Sequence, residues 1–149
     1  MHECLVQIKV LKFKLIRGVK SMEKKEKYQL EFEIKSSPKI LYSYLSTASG
    51  LEEWFADKVN IEQNGVFSFL WDGETSRKAK VITKKDNQVV RYQWTDEKDD
   101  SFLEFEIVQD AITSDVALLI TDFTSKADKA QNEQLWYSQI HGLMHTIGS

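Results

Sequence analysis

The chain has 149 residues, 42% of them hydrophobic, and a single cysteine. That length suits one domain with a core that needs no staple, and one thiol, Cys4, excludes an intrachain disulfide and a cysteine-built zinc site. A net charge of −3 gives no general reason to expect nucleic acid or an anionic membrane as partner.

The charge is unevenly placed. Residues 1–21 hold five Lys/Arg against one Glu, a balance of +4 that leaves −7 on residues 22–149. Leu5 to Ile16 is apolar but broken by Lys9, Lys12 and Lys14. It therefore lacks both the uninterrupted centre of a secretory signal and the ~20 apolar residues of a membrane span. Leu5, Ile8, Leu11 and Leu15 keep helical spacing, so a basic amphipathic surface anchor stands as the alternative to an appended leader. The expectation is a basic leader over 1–21 outside the fold, one domain over 22–149, no stable membrane insertion and a cytoplasmic location.

From Met22 the pattern is regular. Tyr28, Leu30, Phe32 and Ile34 alternate with polar residues, which predicts a half-buried strand. Ser37-Pro38 ends it and opens a helix, serine as N-cap and proline at the first helical position. That helix carries Ile40, Leu41, Tyr44 and Leu45, and a second short helix presents Leu51, Trp54 and Phe55. Six strands follow. Lys58–Gln63 and Val66–Trp71 flank Asn64-Gly65, a strong hairpin signal. Arg77–Lys84, Gln88–Thr95, Phe102–Val108 and Asp115–Phe123 come next, separated by turns and the acidic loop 96–100. In the last strand both faces are apolar; Val116, Leu118 and Ile120 are expected to face inward.

The final stretch, Lys126 to Ile147, organises the rest. Trp136, Ile140, Leu143 and Ile147 recur at helical spacing, and 21 or so residues of helix span ~30 Å, the width of a small domain. Asn132, Glu133 and Gln139 project within about 60° of Trp136, so the same face turns polar in its first half. A helix buried throughout would not be wetted there. The reading is a packed C-terminal half and an N-terminal half that lines a cavity or its mouth. One β–αα–β₆–α unit with no repeat or internal linker is an α+β domain.

This order, with its aromatic markers, resembles the START-like (helix-grip, SRPBCC) superfamily, and within it the group named for the activator of heat-shock protein 90 ATPase. The resemblance rests on the strand before Ser37-Pro38, the Gly50-Leu51-Glu52-Glu53-Trp54-Phe55 segment, the Val90-Arg91-Tyr92-Gln93-Trp94 strand and Trp136-x₃-Ile140-x₂-Leu143. It implies a curved antiparallel sheet gripping the C-terminal helix, with an elongated cavity between them that relatives use for apolar molecules. Three departures stand out: Lys84-Lys85-Asp86-Asn87 replaces a usual proline pair, Leu135 replaces the glycine before Trp136, and Thr124-Ser125 is a short connection to the helix.

Together these readings predict a small-molecule binding module for an apolar or aromatic ligand. Its candidate ligand-binding residues are Trp54, Phe67, Phe69, Trp71, Tyr92, Trp94, Asn132, Glu133, Trp136 and Gln139. Indole bodies suit an apolar pocket, though core packing explains them equally well; the polar residues supply the few convergent groups such a pocket needs. Glu133 is expected either to bond the ligand's polar head or to hold a buried arginine such as Arg91. Asp122 is expected to bond the first turn of the final helix. The alternatives are a protein-interaction domain of the co-chaperone type and a cyclase-type enzyme. No catalytic residue is assigned, because no nucleophile-elbow pattern or phosphate-cradling loop is present. No cofactor or metal is called for: His141 and His145 are four apart but fall on the solvent side of the helix.

Overall fold

The computed structural model describes residues 24–148, so the readings of residues 1–21 lie outside the described residues. In chain order the elements are β1 (Glu26–Glu33), α1 (Pro38–Ser46), α2 (Ala48–Glu52), β2 (Lys58–Ile61), β3 (Val66–Trp71), β4 (Thr75–Lys85), β5 (Val89–Trp94), β6 (Phe102–Gln109), β7 (Val116–Thr124) and α3 (Lys129–Ile147). The strands form one antiparallel sheet in the order β1-β7-β6-β5-β4-β3-β2. The two short helices thus carry the chain from one sheet edge to the other. A meander then returns it to β1, and α3 closes the inner face.

Local chemistry accounts for the punctuation. Ser37 Oγ accepts the Ile40 N–H at 3.2 Å, and Pro38 fills the first turn. Thr47 caps α2 in the same way, accepting the Gly50 N–H at 3.0 Å. Gly50 is held by close approach: a Cβ there would lie 2.1 Å from Ser43 O and 2.6 Å from Tyr44 Cα. The hairpin after β3 turns on Asp72 (φ 55°) and Gly73 (φ 71°), where positive φ suits glycine and aspartate.

Alternation sorts the sheet's faces. Phe67, Phe69, Trp71, Val90, Tyr92, Trp94, Leu103, Phe105 and Ile107 are buried, and the residues between them are half-buried. Val116, Leu118 and Ile120 point inward as expected and are buried. From α3 the core takes Trp136, Ile140 and Leu143.

Most strand ends shift by one or two residues from the sequence reading, and three of the differing boundaries have a visible local partner. β2 ends at Ile61 because Glu62 already turns, its N–H donating to Val66 O at 2.8 Å. β7 continues to Thr124, which pairs with Glu26. α3 begins at Lys129 rather than Lys126: Ser125 to Asp128 is a turn, with the Asp128 N–H reaching Ser125 O at 3.2 Å.

Candidate functional site

The inner face of the sheet is an aromatic cluster. The Phe55 ring lies 6.3 Å from that of Trp136, stacked, and 5.3 Å from Phe69, edge-on. Phe105 meets Trp136 at 6.1 Å and Trp54 at 5.7 Å, while Tyr92 meets Phe67 at 5.3 Å. Such pairs add to the stabilisation that burial provides. Six of the expected site residues, Trp54, Phe67, Phe69, Trp71, Tyr92 and Trp94, are thereby brought together as one packed wall. Phe55 and Phe105 belong to it as well. Both sit at the apolar phase of their elements, Phe55 after Trp54 and Phe105 between Leu103 and Ile107, which is the signal that could have included them.

The polar tips of this wall are tied inward. Trp54 Nε1 donates to Tyr44 O and Trp71 Nε1 to Phe55 O, each at 2.8 Å. The Tyr92 hydroxyl donates to Leu45 O at 2.7 Å. Burial raises the Tyr92 phenol well above its ordinary value, so it stays a donor. The Trp94 ring carries the Arg77 guanidinium 3.8 Å above its centroid. That buried arginine bonds both oxygens of Asp96 at 3.0 Å and Glu97 at 3.1 Å, and Lys25 meets Glu97 at 2.9 Å. The acidic loop after β5 is thus anchored to the strand edge rather than free in solvent.

The inner stripe of α3 is different. Trp136 is fully buried, and its Nε1 donates to Asp122 Oδ2 at 2.8 Å. The Tyr28 hydroxyl donates to the same oxygen at 3.2 Å, and the Phe123 N–H reaches Oδ1 at 2.9 Å. Burial and the Asp122 charge raise the Tyr28 phenol well above its usual range. Asp122 therefore serves Trp136, in the second turn of α3, rather than the first turn as expected: strand alternation aims it beneath the indole. One turn before Trp136, Asn132 is 1% exposed; its Nδ2 donates to Thr124 Oγ1, and its Oδ1 has no partner. One turn after, Gln139 is also 1% exposed, and neither its Nε2 nor its Oε1 has a partner.

Glu133 departs from this group. Its side chain is 31% exposed and pairs with Lys129 at 3.8 Å, one turn back. It does not hold Arg91, whose place in the strand alternation puts it on the outer face of the sheet. There Arg91 bonds Glu104 at 2.8 Å and stacks 3.9 Å over Phe102. A groove of about 360 Å³ opens on that outer face beside Lys27, Gln29, Arg91, Phe102 and Glu104. His141 and His145 are exposed, and among the described residues no cluster of three His, Cys, Asp or Glu could hold a metal. No helix among the described residues is long and apolar enough to cross a membrane.

A curved antiparallel sheet closed over one long C-terminal helix defines the helix-grip class of α+β domain. The chain belongs to the START-like superfamily: the model of the START-like superfamily domain matches residues 22–149. START-like domains commonly bind ligands. Among solved structures, a Bacteroides fragilis protein determined in solution is similar at 33% identity, covering 84% of this chain and 92% of that one, with a TM-score of 0.60. The Aha1 dimer from Colwellia psychrerythraea is similar at 17% identity and a TM-score of 0.67, covering 82% of this chain and 96% of that one. DynU16, from the dynemicin biosynthetic locus, shares the fold at 8% identity and a TM-score of 0.66, covering 83% of this chain and 47% of that one. No curated protein matches the chain.

Proposed function

We propose that this domain binds a small apolar or aromatic molecule between the inner face of the sheet and α3. The observation that supports it is the pair of buried carboxamides flanking Trp136, Asn132 with an unpartnered oxygen and Gln139 with both polar atoms unpartnered. A buried polar group without a partner costs about 1–3 kcal/mol, so a stripe serving only to pack would carry leucine there, as it does at Leu143. A bound molecule with polar substituents would supply those missing partners.

The resemblance to the heat-shock activator group supplies the competing reading, a protein-interaction domain. A titration with the neutral fluorophore N-phenyl-1-naphthylamine separates the two, following its emission and tryptophan quenching together. One-site saturation supports the ligand-binding reading; emission that rises without saturating, or not at all, removes it. We further propose that the domain works in the cytoplasm, in keeping with its single thiol. Residues 1–21 are proposed to be dispensable for folding, because β1 opens at Glu26 and the family match at residue 22. Deletion of 1–21 should leave the melting temperature unchanged, and a loss of several degrees would reverse that assignment.

A further inference from the structure

We propose that the groove on the outer face of the sheet is a second binding site, which takes a flat aromatic monocarboxylate. The ring stacks on the Arg91 guanidinium and the carboxylate meets Lys27. This site shares no residue with the inner stripe of α3 and does not depend on it.

Strand register builds the groove. Gln29, Thr121, Glu104 and Arg91 lie side by side on β1, β7, β6 and β5. Lys27 and Phe123 pair in the next row, where the Phe102 ring meets that of Phe123 at 4.9 Å. Thr121 is a short side chain among long ones; it is 6% exposed, and its hydroxyl accepts from Gln29 Nε2 at 3.2 Å. The hollow of about 360 Å³ above it is bounded by Lys27 and Gln29 on one side and by Arg91, Phe102 and Glu104 on the other. That volume is at the small end of the range for ligand pockets and suits a molecule of one or two rings.

The chemistry of the groove is set by the bonds its charges already make. Arg91 gives Nε and Nη2 to the same oxygen of Glu104, at 2.9 and 2.8 Å, and one face of its guanidinium to Phe102. Its side chain is 35% exposed, so the opposite face is open. A planar, delocalised cation gains from a ring on each of its faces. Lys27 is exposed and, among the described residues, has neither an ion-pair nor a hydrogen-bond partner. Arg91 and Glu104 balance each other, so Lys27 leaves the lining with one positive charge in excess.

Placement and charge number follow from the neighbouring rows. β1 and β5 are three strand spacings apart, roughly 14 Å, which two long side chains and one bicyclic acid span together. On the far side of the Arg91 row, Glu31, Leu119 and Glu106 lie side by side, so a carboxylate is turned from that flank toward Lys27. A neutral ring forfeits the lysine. The second charge of a phosphate finds no second uncommitted cation in the lining and faces Glu31 and Glu106. A cationic head is repelled by Lys27 and has to compete with Arg91 for Glu104.

The test is a nitrogen-15 NMR titration of the full chain at neutral pH, following the backbone amides of Lys27, Gln29, Phe102 and Thr121 and the Arg91 Nε–H. 2-Naphthoate should move these resonances together and saturate at one site. Read there, it should bind at least about tenfold more tightly than 2-naphthamide, which keeps the ring without the charge. Benzoate should bind more tightly than cyclohexanecarboxylate, which keeps the charge without the flat ring. Lys27→Gln, a change at an exposed side chain, should erase the preference for naphthoate over naphthamide. Arg91→Lys keeps the charge but loses the stacking plane, so it should erase the preference for benzoate over cyclohexanecarboxylate. Groove resonances that do not move, naphthoate shifts confined to α3, equal affinities within either pair, tighter binding of 2-naphthyl phosphate, or preferences that the variants retain would overturn the inference. The inner face is judged separately, by N-phenyl-1-naphthylamine at the side-chain amides of Asn132 and Gln139, so either reading can fail while the other stands.

Discussion

Trp136 is where the demands of packing and of hydrogen bonding meet. Its ring is covered by Phe55 and Phe105 and its N–H is held by Asp122, so truncation opens a void and removes one of the donors to Asp122 Oδ2. Trp136→Ala should therefore cost ~3–5 kcal/mol, whereas His141→Ala on the opposite, exposed side should cost under ~0.5 kcal/mol. Denaturant titration of the two variants checks this; matched losses would mean the helix is phased otherwise. Tyr28 and Tyr92 make a second prediction. Burial, more than any neighbouring charge, raises both phenols in the folded protein, so the folded state holds those protons more tightly than the unfolded chain does. Their stabilisation is complete below the unfolded value of about 10 and declines as pH rises above it. Stability should be insensitive to these groups from pH 7 to 9 and fall beyond about 10, less steeply in the Tyr28→Phe, Tyr92→Phe double variant. Identical alkaline slopes in parent and variant would rule out the tyrosines as the cause.

At the scale of elements, the short helices decide how the chain crosses from β1 to β2. The crossing is tight at Gly50, where the backbone of α1 lies within 2.6 Å of where a Cβ would stand. Gly50→Ala should destabilise by about 3 kcal/mol, the upper range for forced overpacking. A neutral result would mean that α1 can slide away from α2. Much of this level was legible beforehand, because strands and caps depend on neighbours in sequence. Alternation in Phe67, Phe69 and Trp71 assigned their face, Ser37-Pro38 placed a helix start, and Asn64-Gly65 placed a turn. What failed were contacts that depend on the other end of the chain. Glu133 lies within 60° or so of Trp136 on a helical wheel, yet that flank is only half-covered, and Lys129 is within its reach. Arg91 goes to Glu104 because register sets them side by side, and register across strands is not written in either strand alone. Asp122 was seen, but its partner was not: only the packing of α3 brings an indole 14 residues away onto its carboxylate.

For the whole molecule, the central claim is that the inner stripe of α3 is a binding surface as well as a support for the sheet. The outer face offers a rival place, the groove beside Lys27, Arg91 and Phe102, so the location of binding is what separates the accounts. The aromatic wall alone would not distinguish them, since core packing explains its contacts. The proposal for the inner face rests on the unpartnered carboxamides of Asn132 and Gln139. The decisive measurement is a nitrogen-15 NMR titration of the full chain with N-phenyl-1-naphthylamine, following the side-chain amides of Asn132 and Gln139 and the indole of Trp136. These resonances should move together and saturate with the fluorescence signal. Saturable shifts confined to Lys27, Arg91, Phe102 and their neighbours, with the α3 amides unmoved, would contradict the claim.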